Sequence, residues 1–477
     1  MKNNRNVYLL NSVITISLML FLGYLPAPDP ITPMGMKILG IVLGAIYGWS
    51  TVDMVWPSIS ALVLLGFSGY TTVKQAFALA VSNDTVLFVF FLLLLSGIMN
   101  QTGVAKAIAL RIISSKRAEG KPWIITLLVL LSAYVPAMAV GGLPIMLICW
   151  NIVYQISDEV GFKPQDEWPS LMLFGVAIAS TIGMCFFPFQ ITPIGMYAIL
   201  EAVDPTKTVA YLPYMIYSGT FSVVMLLGFY GFMRLIARPS VSPLENYKVQ
   251  GKAEPFSFEQ KLALGAMLLI IVLLSFPSIF PNLMLSQLLS AVGNTGIVAA
   301  VVGACLVFRK DGKQIFSIDA IASKGLMWGM LFMFSTALCI STALTSPETG
   351  ISKFLISKLS VVFSGMTPFA FQASMLLLVL IATNFLSNPV VAVIFIPIAY
   401  SFGKQIGVDI LVIMPSMIFL NLLDFMLPSG SPTAAIIYGN RKWITTRSIL
   451  RYSAVMMLLA YLIVVVIGIP LSSQLFG

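Results

Sequence analysis

Apolar residues run through this chain in long blocks rather than at the helical or alternating spacing of half-buried soluble elements. A membrane span takes roughly 20 mostly apolar residues. Blocks of that kind lie near 7–25, 34–50, 54–69, 85–103, 168–187, 211–236, 262–280, 287–308, 325–345, 409–427 and 449–470. Two further blocks, about 122–154 and 366–403, are too long for one span, and polar, small or proline residues break each near its middle. They read as re-entrant hairpins, which enter the membrane, turn inside it and leave on the same side. The pattern predicts an all-α polytopic membrane protein with about 11 transmembrane helices plus two re-entrant hairpins.

Composition agrees. The 477 residues are 58% hydrophobic and 9% charged, where soluble domains carry about 25% charged residues. The basic residues set an orientation, because cytoplasmic loops collect Lys and Arg. With the amino terminus inside, the inner segments 1–6, 109–121, 155–167, 234–261, 309–324 and 440–451 hold 20 of the 27 Lys and Arg. Eleven spans then place the carboxyl terminus outside, with the first hairpin opening inward and the second outward. The net charge of +9 has this cause, so no nucleic-acid partner is called for. The start, MKNNRNVYLLNSVITISLMLFLGYL, has no small-residue cleavage site and reads as a retained span. The expected location is the cytoplasmic membrane, multi-pass, with the lipid bilayer as a partner.

Other chemistries are poorly supplied. There is no histidine, and the four cysteines sit in separate apolar runs with no zinc-ligand spacing. No clustered carboxylates, metal motif or nucleotide loop is present, which leaves a membrane-embedded enzyme as a distant alternative. No cofactor is expected.

The polar stretch 238–261 lies halfway along the chain and separates two halves of similar grammar. Residues 1–237 hold the hairpin at about 122–154 and a broken span at 168–200; residues 262–477 hold the hairpin at about 366–403 and a broken span at 409–440. LLSAYVPAMAVGGLPIML (130–147) corresponds to IATNFLSNPVVAVIFIPIA (381–399), and IGMCFFPFQITPIG (182–195) to FMLPSGSPTAAIIYG (425–439). Since the hairpins open to opposite sides, the repeats are inverted. Paired interrupted segments in two halves point to a transporter's midplane site.

The broken segments supply two kinds of group. Half-helix amino termini offer free N–H groups and a positive dipole end, which favour an anion. Unwound carbonyls with Asn and Thr oxygens suit a hard monovalent cation such as Na+. In TNFLSNPV (383–390), Thr383 lies one turn before Ser387, and Asn388 begins the outgoing helix. Across from them LPSGSPT (427–433) breaks a span, and Pro432 reads as the first turn of a new half-helix. Asp424, one turn before that break, is the one carboxylate well inside an expected span. A charge at depth costs about 2.5–3.5 kcal/mol on insertion scales, so Asp424 is a candidate for coupling, as proton acceptor, cation partner or gate.

These segments resemble the divalent anion/sodium symporter family, whose members move dicarboxylates, citrate or sulfate by an elevator mechanism. The resemblance covers nearly the whole chain, and its strongest part is the second hairpin with FMLPSGSPTAAIIYG. It implies a Na+ site at Thr383, the Leu386 carbonyl, Asn388 and Gly430, and a weaker second site at Ser132 and Gly183. It implies a substrate site formed by Ser387, Asn388, Pro389, Ser431, Pro432 and Thr433 with Ala137, Met138, Gly141, Pro188, Gln190 and Thr192. This chain departs from the family's Ser-Asn-Thr signature, which reads Pro136-Ala137-Met138 in the first half and ends in Pro389 in the second. The expected function is secondary active transport of small anions, di- or tricarboxylates first, coupled to Na+ with one degraded sodium site. A Na+-independent exchanger and an H+-coupled carrier are the alternatives. The family also implies a homodimer.

Overall fold

The computed structural model describes residues 2–248, 254–363, 365–428 and 430–477. The middle of the expected linker, 249–253, and Ser429 of the LPSGSPT loop lie outside the described residues. The chain is almost wholly helical. The strands among the described residues form one two-stranded antiparallel ribbon, Arg309–Lys310 against Lys313–Gln314. Ten helical stretches among the described residues are long and apolar enough to cross a membrane.

The first half opens with α1 (Lys2–Phe21), α2 (Pro33–Thr51), α3 (Trp56–Phe67), α4 (Val73–Ser82), α5 (Asp84–Thr102) and α6 (Val104–Ile113). The block at 54–69, read as one span, is a 12-residue helix. At 1.5 Å per residue it reaches about 18 Å, short of a hydrocarbon core. Gly69 at φ 94° ends that segment, and the Thr72–Gln75 capping box starts α4 anew.

Next come α7 (Pro122–Val140) and α8 (Gly142–Val160), joined by Gly141 alone. Gly141 sits at φ 98°, ψ 162°, a region closed to other residues. The Cys149 thiol donates to the Ser132 carbonyl at 3.3 Å, and those two positions are almost equally far from Gly141, so the chain doubles back there. The second arm runs to Val160, beyond the expected limit at 154.

Then follow α9 (Glu167–Gly183), an irregular stretch, α10 (Ile191–Val203) and α11 (Tyr211–Gly231), which continues as a π-turn to Ala237. The second half contains α12 (Phe258–Ile279), α13 (Met284–Val307), α14 (Ile318–Gly325), α15 (Trp328–Thr345) and α16 (Ile351–Phe363). It then repeats the earlier order: α17 (Pro368–Ala382) and α18 (Asn388–Ile406), then α19 (Ile410–Asn421), a break, and α20 (Pro432–Gly439). α21 (Thr446–Ile463) passes through a π-turn into α22 (Ile469–Phe476).

Burial separates these helices by role. Every residue of α9 from Trp168 to Gly183 is buried, and α19 is buried at all positions but Leu411. Helices apolar all round and buried all round belong in the middle of a bundle. α1, α12 and α13 instead expose Leu10, Val13, Leu268, Val272, Leu288 and Val292, the surface a lipid-facing helix presents. Thus the two helices leading into the breaks form the centre of the molecule.

Candidate functional site

The richest polar cluster forms where the tip of the second hairpin meets the break after α19. α17 ends at Ala382 and α18 begins at Asn388, leaving 383–387 outside either helix. Thr383 is wholly buried. Its hydroxyl lies 2.8 Å from Asn388 Oδ1 and also bonds to the Asn421 carbonyl. One hydroxyl carries one hydrogen, so three oxygens meet there with a single proton between them. The Asn421 amide donates to the Asn388 carbonyl at 2.9 Å, while Asn421 Oδ1, also buried, has no hydrogen-bond partner.

Asn384 fixes the register of this junction. It donates to the Leu380 carbonyl at 2.8 Å and the Leu423 carbonyl at 3.4 Å, and its Oδ1 accepts from the Met426 N–H at 2.9 Å. One side chain thus satisfies backbone freed on both sides, in α17 and in the break. The Ser453 hydroxyl from α21 takes the neighbouring Phe425 carbonyl at 2.9 Å.

Asp424 is 1% exposed. Its Oδ1 accepts from the Ser431 hydroxyl at 2.8 Å, its Oδ2 is unpartnered, and the Asn388 side chain lies beside the carboxylate. Ser431 also caps α20, accepting from the Ala434 N–H at 3.1 Å. Gly430 touches the Asp424 backbone so closely that a Cβ would stand 2.4 Å from the Asp424 carbonyl oxygen. Glycine is the residue that permits this approach.

Two helix amino termini open at the same junction. Ser387 is the N-cap of α18, but its hydroxyl makes no capping bond and has no partner at all. Pro389 and Pro432 occupy the first turns of α18 and α20. Ser387, Asn388, Pro389 and Thr433 are half-buried and Pro432 is exposed, so this face is open where Thr383 and Asp424 are closed. Oxygens without hydrogens lie inside, and the amino terminus of α18, left uncapped by Ser387, lies towards the opening. The first set can hold a cation and the second an anion.

The first hairpin tip is built differently. Ala137 is fully buried, and a Cβ on Gly183 would stand 3.0 Å from the Ala137 methyl and 2.4 Å from the Tyr134 carbonyl oxygen. At the tip, hairpin and α9 therefore touch through a methyl and a bare backbone. The Ser132 hydroxyl donates to the Val129 carbonyl of its own helix at 2.7 Å. Gln190 Nε2 donates to the Met138 carbonyl, tying the tip to the break before α10. Pro188 is buried in that break, and Thr192 is half-buried on the first turn of α10. Around them Phe186, Phe187 and Phe189 pack together, the last two stacked at 5.0 Å.

Contacts at the bases of the hairpins match pairwise. Tyr154, six residues before the end of α8, accepts from the amide of Asn440, the residue after α20, at 2.7 Å. Tyr400, six residues before the end of α18, donates to Asp204, the residue after α10, at 3.0 Å. α8 and α18 both end in a left-handed glycine, Gly161 and Gly407. The Thr206 hydroxyl, with help from Tyr400 and Lys207, holds the Asp204 carboxyl below its ordinary range. Lys207 also pairs with Asp409 at the start of α19.

Asn384 and Asn421 had no assigned role in the sequence reading. Asn421 could have been found, since it stands three residues before Asp424 in an otherwise apolar run.

The family described as sodium:sulfate symporter transmembrane region matches residues 6–476. A sodium-dependent dicarboxylate transporter of Staphylococcus saprophyticus, SdcS, is 22% identical over 94% of this chain and 90% of its own length. An uncharacterised transporter of Methanocaldococcus jannaschii is 24% identical over 65% of this chain and 66% of its own length. Among solved structures, the YdaH transporter of Alcanivorax borkumensis superposes with a TM-score of 0.55 at 13% identity, covering 99% of this chain and 97% of the other. That last likeness is one of fold.

Proposed function

We propose, from the premise that the chain belongs to the sodium:sulfate symporter transmembrane family, that it is a Na+-coupled symporter of small anions, di- or tricarboxylates first among them. Family and structural neighbours are transporters and not enzymes. One observation carries the finer reading: the buried Thr383 hydroxyl, the half-buried Asn388 Oδ1 and the Asn421 carbonyl share a single proton beside the uncapped amino terminus of α18, with the amino terminus of α20 at the same junction. A cation held there adds its positive charge to the two dipole ends, so Na+ raises the affinity for the anion and the anion for Na+. That reciprocity is what symport requires. The printed description of the staphylococcal relative, a sodium-dependent dicarboxylate transporter, supports the same substrate class.

In this reading Thr383, the Leu386 carbonyl, Asn388 and Gly430 hold Na+, while Ser387, Asn388, Ser431 and Thr433 face one carboxylate. Gln190, Thr192 and the backbone at Gly141 face the far end of the substrate. Only one Na+ site is well supplied, because Ala137 and Gly183 meet without a side-chain oxygen between them. The two halves form inverted repeats, a reading supported by the matched Tyr154–Asn440 and Tyr400–Asp204 contacts. α7–α10 and α17–α20 form the moving body of an elevator, in a homodimer with the amino terminus inside and the carboxyl terminus outside.

The test is uptake of labelled succinate, malate, citrate, sulfate and a monocarboxylate into proteoliposomes. Each is offered with an imposed Na+ gradient, an H+ gradient, or internal substrate alone. Uptake driven by the Na+ gradient is expected. Uptake that needs only internal substrate makes the protein an exchanger, and uptake driven by H+ alone removes Na+ from the mechanism.

A further inference from the structure

The Asp424 carboxylate has no place in the all-neutral oxygen cage described above, yet it lies against it. It is 1% exposed, on the break between α19 and α20, with the Asn388 side chain beside it. Ser431 supplies one hydrogen bond to Oδ1, and Oδ2 has none. No lysine or arginine is paired with it; the two ion pairs among the described residues are Lys207–Asp409 and Lys310–Glu259. A second orphan, Asn421 Oδ1, is equally buried three residues earlier, at the end of α19, and belongs to the residue whose carbonyl meets Thr383. Buried acceptors left without donors cost free energy. Two of them on residues that both contact Asn388, one a carboxylate, describe a place that a cation completes.

We propose that Asp424 is a direct ligand of the transported cation, so that the second hairpin tip binds Na+ as a neutral ion pair rather than through dipoles alone. The proposal rests on the Na+ reading of this tip and sharpens it. Ser431 holds Oδ1 so that Oδ2 remains for the ion. Gly430 packs its backbone against that of Asp424, which holds the carboxylate within this cluster. An anionic ligand presents a stronger field than a carbonyl dipole, and field strength is one determinant of discrimination between Na+ and K+. The carboxylate therefore supplies both affinity and preference for the smaller ion. It also gives this chain a means of retaining one strongly bound Na+ although its first half lacks the corresponding oxygens.

Cation binding to the purified, full-length protein tests this without transport. Thermal unfolding is followed while Na+, Li+ or K+ replaces choline at constant ionic strength, since a ligand that binds only the folded state stabilises it by RT ln(1 + [L]/Kd), and the rise in melting temperature with concentration gives an apparent midpoint at the Kd. The parent is expected to respond to Na+ and Li+ well before K+. Asp424→Asn, nearly isosteric, should move the Na+ midpoint at least tenfold upward and remove most of the preference over K+. Tyr154→Phe, away from this tip, leaves the carboxylate and its neighbours in place and should keep that preference. An Asp424→Asn protein with the parent's midpoint and selectivity, in a series where Asn388→Ala abolishes the response, overturns this inference and leaves the Na+ site standing. A parent that ignores Na+ overturns both. If Asp424→Asn does not fold, Asp424→Glu serves: it keeps the charge but moves it by one methylene. It should shift the midpoint several-fold, and an unshifted midpoint refutes direct ligation.

Discussion

Asn384→Ala removes the side chain that clamps the second hairpin to the break after α19. In the parent, Asn384 is 2% exposed and satisfies the Leu423 carbonyl and the Met426 N–H. Alanine leaves the buried Leu423 carbonyl and the part-buried Met426 N–H without a partner, at about 1–3 kcal/mol each. Discounting for the longer 3.4 Å bond, the loss should be about 2–4 kcal/mol. An unfolding entropy of about 2.1 cal/mol/K per residue makes that a fall in melting temperature of roughly 2–4 °C for a chain of 477 residues. Differential scanning fluorimetry in detergent resolves such a shift, and a conservative exposed substitution such as Phe385→Leu serves as the control. Because the clamp sets where Thr383 meets Asn421, the same variant should also lose much of its response to Na+. A melting temperature within 1 °C of the parent, roughly what 1 kcal/mol would give, with an unchanged Na+ response, would refute the claim that Asn384 positions the tip.

Gly183→Ala should displace the first hairpin, since the new methyl would stand 2.4 Å from the Tyr134 carbonyl oxygen. A cost of about 1–3 kcal/mol is expected, read as a lowered melting temperature with reduced uptake. Ala137→Asn, which restores the family's amide at the first tip, should overpack the same contact and lower stability rather than create a second Na+ response; thermal melts with and without Na+ decide. Tyr154→Phe and Tyr400→Phe each remove one of the matched hydrogen bonds. Each should cost about 0.5–1.5 kcal/mol and slow or speed uptake without moving the Na+ midpoint, as measured by initial rates over a range of Na+ concentrations.

The positions of the spans and breaks were legible because bilayer burial demands long apolar runs, and Pro428, Gly430 and Pro432 interrupt one of them in plain view. Block length alone misjudged 54–69, where the helix has 12 residues and a glycine turn and a capping box separate it from the next short helix, α4. The second tip was legible for the same reason as the breaks: Thr383, Ser387 and Asn388 are polar where lipid would exclude them. What the sequence could not reveal is which buried polar groups satisfy one another. Asn384 and Thr383 are adjacent, yet one clamps backbone across the break while the other gathers oxygens. The first tip shows the converse. Ser132 kept its expected residue type, but its hydroxyl is directed to its own helix, a contact no spacing rule distinguishes from a ligand.

The central claim is that one Na+ and one anion bind together at the second tip. The most direct test is the initial rate of succinate uptake into proteoliposomes as external Na+ is raised, in the parent and in Asn388→Ala. The account predicts a hyperbolic Na+ dependence with a Hill coefficient of roughly one, and an Asn388→Ala protein in which Na+ dependence and succinate affinity are lost together. A sigmoidal dependence requiring two ions, or an Asn388→Ala protein that transports like the parent, would contradict it.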